Sequence, residues 1–192
     1  IIIFVFLLFT FYFSSSAFGG LYTTTVDPTT DDVGIYSSIA LDNNNYPHIS
    51  YYDATNGGLK YARWTGSTWE VETVESSISK ALGQYNSIAL DSSGNPHISY
   101  CSYNEGLLKY ASLEGSSWII QTLPGVVIGR WTSIALDSLN RPHISYYDDW
   151  HYYLMYASWE GSNWVTQTVD PTNNYVTSIA LDSSNNPHIS YC

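Results

Sequence analysis

Basic side chains are scarce in this sequence. Six Lys and Arg stand against seventeen Asp and Glu, a formal net charge of −11 at pH 7. Such a chain is repelled by phosphate backbones and by anionic membrane surfaces, which argues against nucleic acid and lipid as partners. Charge of either sign is thin, at 12% of residues. Cysteine is nearly missing too, with Cys101 and Cys192 the two present. That usage fits an exported protein that does not rely on disulfides. No Asn-x-Ser/Thr sequon occurs, so nothing marks an N-glycosylated loop. No stretch sustains a helical hydrophobic period.

Long apolar runs are limited to one. IIIFVFLLFTFYF, residues 1–13, is uncharged but short of the roughly 20 residues a helix needs to span a bilayer. With SSSAFGG behind it, the run has the length of a signal-peptide core and offers cleavage near Ala17 or Gly19. An initiator Met and a basic leading segment are lacking. The expectation is a signal peptide over residues 1–19, truncated at its N-terminus, with no membrane insertion after cleavage. A membrane anchor missing its first turns is the rival reading.

Aromatics, by contrast, make up 16% of the chain, with 18 Tyr and 7 Trp, a mix that suits strands. One stretch is written four times: SIALDNNNYPHISYYD from Ser38, SIALDSSGNPHISYCS from Ser87, SIALDSLNRPHISYYD from Ser133 and SIALDSSNNPHISYC from Ser178. These serines are 49, 46 and 45 residues apart, and Thr73, Thr122 and Thr168 each follow their Ser by 35. All length variation therefore falls in the links between the Thr and the next Ser. Within the constant 35 residues, turn signals separate four strand-like runs. Four short antiparallel strands per unit of about 45 residues mark a β-propeller blade, so the expected fold is all-β. A β-solenoid is the weaker alternative.

Blades pack both faces against neighbours, so every blade must present nearly the same surfaces. This gives the repeated polar residues a structural reading: His48, His97, His143 and His188, and Asp42, Asp91, Asp137 and Asp182. A single active site would break the symmetry of its scaffold. All four histidines are expected to be buried and hydrogen-bonded, and no metal or cofactor is expected. Calcium at the Asp/Asn-rich turns would find fewer than its usual six to eight ligands. A four-residue hairpin turn would put His48 and Ser50 on the face of Ile39 and Leu41, and another turn length would swap the faces. Cys101 and Cys192, equivalent positions two copies apart, should lie beyond bonding distance.

The turns between third and fourth strands read WTGSTW, LEGSSW and WEGSNW. The Gly-x-x-Trp ending resembles the second half of the Asp-box of sialidase-like propellers, with Trp64, Leu113 and Trp159 standing where the box has Asp. The inner hairpins are similar to the Asp-x-x-Gly-Asn hairpins of secreted bacterial and archaeal propellers. The resemblance covers roughly residues 21–192. A sialidase-like activity would imply an arginine triad, a Tyr–Glu nucleophile pair and an acid Asp. Arg63, Arg130 and Arg141 are the arginines present, and the blade map does not make them converge.

Functional loops on a constant scaffold are expected to vary. The rim carrying the second-to-third turns and the inter-blade links is the variable one. Its candidate ligand-binding residues are Asp53 and Asn56 in blade one, Tyr103, Asn104 and Glu105 in blade two, and Arg130 and Trp131 in the following link. Asp148, Asp149, Trp150, His151 and Tyr152 complete the set in blade three. Acids beside aromatics suit a glycan, and they suit a surface protein equally. The residues therefore point to a secreted or cell-surface propeller acting as a non-enzymatic binding or adhesion module. The alternative is a sialidase-like glycoside hydrolase whose catalytic residues lie partly outside this chain. Residues 20–192 read as three complete blades with partial blades at both ends. LYTTTVD at 21–27 matches the fourth strand WEVETVE, and is expected to complete the final blade of a chain that continues past Cys192.

Overall fold

The computed structural model describes residues 9–11, 22–125, 129–172 and 175–192. The remainder of the expected signal peptide lies outside the described residues. Sixteen strands and no helix form the described chain. A short ribbon pairs β1 (Phe9–Phe11) with β2 (Tyr22–Thr24). Blade one is β3 (Val33–Leu41), β4 (Pro47–Asp53), β5 (Gly58–Trp64) and β6 (Trp69–Ser76). Blade two is β7 (Leu82–Leu90), β8 (Pro96–Ser102), β9 (Leu107–Glu114) and β10 (Ser117–Thr122). Blade three is β11 (Gly129–Leu136), β12 (Pro142–Asp148), β13 (Tyr153–Trp159) and β14 (Trp164–Asp170), and a hairpin of β15 (Thr177–Leu181) and β16 (Pro187–Tyr191) follows. Each blade is an antiparallel sheet with strands in chain order. The chain is a β-propeller arc.

The cores lie between blades. Leu59, Tyr61 and Val74 of blade one pack with Ile88, Ile98, Tyr100 and Ala111 of blade two. Leu108, Tyr110 and Leu123 repeat this against Ile134, Ile144, Tyr146 and Ala157. Val26 meets Val33, Ile49, Tyr51 and Ala62 in the same manner, so it holds the place of Val74 and Leu123. The repeated serines zip the inner strands together. Ser38 Oγ accepts from Ile88 N at 3.2 Å, Ser87 Oγ from Ile134 N at 3.3 Å, and Ser133 Oγ from Ile179 N at 3.2 Å. A second layer joins Ser50 to Asn86, Ser99 to Thr132 and Ser145 to Thr177, all buried. Buried hydroxyls need partners, and the Asn or Thr just before the next copy's opening Ser supplies one at each of these three junctions.

The inner hairpin takes the swapped register, the one that follows from a turn length other than four. Leu41 pairs with Pro47, Ala40 with His48 and Ser38 with Ser50, so the turn has five residues and His48 shares a face with Ala40. The extra residue is accommodated because Asp42 Oδ1 accepts from the N–H groups of Asn44 and Tyr46, while Asn45 takes a positive φ of 62°. Asn tolerates that conformation better than other side chains. Asp91, Asp137 and Asp182 cap their turns identically, with Gly94, Asn140 and Asn185 at positive φ. Asn140 and Asn185 also reach back one blade, each accepting from the backbone N–H of Ser92 or Ser138.

Nδ1 of His48, His97 and His143 pairs with the hydroxyl of Tyr61, Tyr110 and Tyr156, thirteen residues on in each case. Nε2 faces Asp42, Asp91 and Asp137 at 3.7–3.9 Å, too far for a hydrogen bond. His188 departs from the expectation of burial. It sits in the two-stranded β15–β16 unit and its side chain is 70% exposed. Both cysteines are free, Cys101 buried and Cys192 exposed.

Candidate functional site

Strand direction divides the arc into two rims. The inner hairpin turns and the Trp64/Trp69 type of turn share one rim, and the second-to-third turns and links share the other. On the second rim each inner strand begins with a bulge, between Ile35 and Ser38, Gln84 and Ser87, and Arg130 and Ser133. An aromatic residue sits in each bulge at positive φ: Tyr36 at 56°, Tyr85 at 53° and Trp131 at 46°. Bulky side chains adopt that region at a cost of order 1–3 kcal/mol, and such outliers cluster at functional sites.

These rings form a continuous band across the rim. Tyr36 and Tyr85 centroids are 4.4 Å apart, Tyr85 and Trp131 4.9 Å, and Trp131 and Tyr175 6.1 Å. Tyr52 flanks Tyr36, Tyr103 flanks Tyr85, and Tyr147 flanks both Trp131 and Tyr175. The band borders a shallow depression of about 200 Å³ floored by Asn86, Thr132 and Thr177. Burial and a hydrogen bond with Tyr36 push the Tyr85 hydroxyl well above its usual range. Burial and the neighbouring Tyr175 push the Tyr147 hydroxyl up to about 12. Both phenols stay neutral donors across the physiological range.

Five of the sequence-predicted residues join this band, one of them at its edge. Arg130 lays its guanidinium 4.5 Å from the Tyr103 ring centre and pairs through Nη1 with Asp149 Oδ2 at 2.7 Å, beside Trp131. Tyr152 connects at its edge through Tyr147, 6.5 Å away. Trp150 stands out from blade three, 66% exposed, and His151 stacks on Tyr153.

The others are brought elsewhere or are occupied. Asp53 is buried, with Oδ1 accepting from Asn56 N and Oδ2 from Asn56 Nδ2. Asp148 is buried as well and takes the N–H groups of Trp150 and His151 together with His151 Nδ1. These two carboxylates hold their own turns. Asn56 also reaches Asp31, Asn104 donates to Ser79 O, and Glu105 pairs with Lys80 at 3.0 Å. All three tie a turn to the link of its own blade. Sequence reasoning missed Tyr36, Tyr85 and Tyr175. Their signal is an aromatic two residues before the opening Ser in three copies and three before it in the fourth.

The opposite rim carries clefts of about 450 and 410 Å³ at successive blade junctions, with the His48–Asp42 and His97–Asp91 pairs among their linings. Arg63 and Arg141 lie toward that rim, bound to Glu70 and Asp137 respectively. Among the described residues no group of three or more His, Cys, Asp or Glu is placed to hold a metal ion, and no helix is long and apolar enough to cross a membrane.

No protein-family model and no curated protein matches the chain. Solved structures do, at low identity. AofleA from Arthrobotrys oligospora is 12% identical with a TM-score of 0.62, over 93% of this chain and 55% of that one. The intramolecular trans-sialidase from Ruminococcus gnavus is 11% identical with a TM-score of 0.63, over 88% of this chain and 42% of that one. The leech intramolecular trans-sialidase is 10% identical with a TM-score of 0.64, over 92% of this chain and 31% of that one. The chain thus spans between about a third and just over half of the length of these structures. At identities this low the likeness shows the fold alone, a β-propeller.

Proposed function

We propose that this protein is a secreted or cell-surface β-propeller that binds carbohydrate without hydrolysing it. The aromatic band from Tyr36 to Tyr175 carries the reading. Flat faces kept partly open to water, at a cost in backbone strain, offer stacking surfaces for the C–H faces of sugar rings. Ligand sites combine such apolar faces with a few polar groups, here the Tyr hydroxyls and the Arg130–Asp149 pair. Sugar-processing propellers among the similar structures lend weaker support. Export rests on the apolar leader at residues 1–13 and the thin use of cysteine.

A sialidase-like hydrolase is the alternative, and it would need arginines converging on a substrate carboxylate. Arg63, Arg130 and Arg141 are instead each engaged with a separate carboxylate, and Arg130 is on the rim opposite the other two. A glycan array with the purified protein and its Trp131→Asn and Trp150→Ala variants tests the proposal. Retention of one or more glycans by the parent, weakened in the folded Trp131→Asn variant, is the expected result. A folded parent that retains none overturns it.

A further inference from the structure

Resting on that carbohydrate reading, we infer that the band takes an extended, uncharged glycan chain, several sugar rings at once, and reads its ring faces and not its hydroxyl pattern. Three observations carry this. The first is continuity. From Tyr36 through Tyr85 and Trp131 to Tyr175 no centroid gap exceeds 6.1 Å, and the band crosses from blade one to the β15–β16 hairpin. One monosaccharide would cover only part of it. A chain of sugars can lay successive rings on successive aromatics, as bases do on single-strand-binding proteins.

The second is the state of the polar groups beneath. Asn86 accepts from Ser50 Oγ and donates to Gly83 O. Thr132 Oγ1 is engaged with Ser99 Oγ and the carbonyl of Tyr85, and Thr177 Oγ1 donates to Ser145 Oγ. The floor of the depression therefore has little hydrogen-bonding capacity left to distinguish one hydroxyl stereochemistry from another. Strong discrimination between such isomers needs buried polar groups that only one isomer satisfies. The third is charge. Arg130, the cation in this band, is already paired with Asp149 at 2.7 Å. An anionic sugar would meet a guanidinium whose charge Asp149 already offsets, within a protein of net charge −11.

The choice of residues at the bulges strengthens the inference. On the opposite rim the positive-φ positions are given to Asn45, Gly94, Asn140 and Asn185, residues that adopt this conformation readily. On this rim the same kind of position carries Tyr36, Tyr85 and Trp131. The strain recurs blade after blade on the face where the rings line up.

Titration calorimetry with neutral oligomers of one to six rings, from cellulose, β-1,3-glucan and β-1,4-galactan, tests the inference, with 3′-sialyllactose as the anionic probe. Each added ring up to about four should raise affinity by roughly two- to tenfold. The three neutral series should agree within about tenfold at equal length, the size of a single such discrimination. Tyr85→Asn and Trp131→Asn keep a residue that tolerates positive φ, and should flatten the length dependence. Should these fail to fold, Tyr36→Asn at the open end of the band shortens the site by one ring. Binding that is flat with length, or tighter for sialyllactose than for a neutral trisaccharide, overturns the inference and leaves carbohydrate binding standing. No binding of any saccharide by folded protein overturns the carbohydrate reading itself.

Discussion

Lys109 Nζ lies 2.5 Å from Glu75 Oε1, across the junction of blades one and two, and Tyr100 donates its hydroxyl to the other oxygen of Glu75. One junction earlier Lys60 and Tyr51 grip Asp27, both at Oδ2. At the next junction the lysine position is Met155 and the acid position is Pro124, so charge and counter-charge disappear together. A buried ion without its partner costs several kcal/mol, which explains why neither is seen alone. Asp27 and Lys60 are the more buried pair, with side chains 3% and 10% exposed. Lys60→Met alone should destabilise by about 3 kcal/mol. Joining it to Asp27→Leu should recover much of that loss. Urea denaturation reads both, and additive effects of the two substitutions would show that the pair is not coupled.

The same latch sets a pH dependence at acid. Burial alone would raise the Asp27 carboxyl, but the hydrogen bonds from Lys60 and Tyr51 and the Lys60 charge outweigh it and hold the group below its ordinary 3.8. A depressed carboxyl contributes stability that is present above its unfolded value and lost as pH falls. The histidines act in a higher window. Burial, opposed by Asp42, Asp91 and Asp137, lowers the imidazoles of His48, His97 and His143 below 6.5. The unfolded chain then binds protons that the folded one refuses, so stability falls as pH drops below about 6.5. Denaturation midpoints should be flat from pH 8 to 7 and decline below that. His97→Gln should reduce the slope between pH 6.5 and 5, and an unchanged slope would remove this histidine from the account.

Each buried imidazole depends on a tyrosine from the third strand. Tyr61→Phe, Tyr110→Phe and Tyr156→Phe leave Nδ1 of His48, His97 and His143 without its hydroxyl partner. A stranded buried polar atom costs about 1–3 kcal/mol, so each variant should lose that much stability while keeping its fold. Equal losses at the three positions, measured by thermal unfolding, are expected because the environments repeat. A neutral result at any one of them would show that water replaces the hydroxyl there.

Much of the architecture was legible because the repeat states it four times. Blade boundaries and strand count follow from constant spacing and turn residues, whereas the serine contacts between blades emerge only in the structure. The hairpin register stayed open in the sequence because turn length depends on Asp42 capping and on Asn45 at positive φ, and neither is visible as a letter. Arg130, Trp131, Tyr103 and Asp149 stood out in the variable segments. Tyr36 and Tyr85 did not, because beside a constant strand they read as ordinary strand formers. Asp53 and Asp148 show the converse. Acids in a variable loop look available, and only coordinates show both carboxylates turned inward onto their own backbones.

The repeat also writes one letter into different environments. Ile88 and Ile134 are 6% and 7% exposed, each packed against the preceding blade, whereas the equivalent Ile39 is 50% exposed. Removing a buried isoleucine side chain costs about 2–5 kcal/mol through lost transfer energy and the cavity left behind. Ile88→Ala should fall in that range. Ile39→Ala, cutting an exposed side chain, should cost well under about 1 kcal/mol, as surface substitutions usually do. The comparison is sharp because residue, strand and flanking sequence are shared, and only the neighbouring blade differs. Guanidinium denaturation of the two variants beside the parent gives the difference directly. Equal losses would mean that Ile39 is covered in the folded protein, by a further blade or a second copy of the chain, and sedimentation of the same samples would distinguish those two.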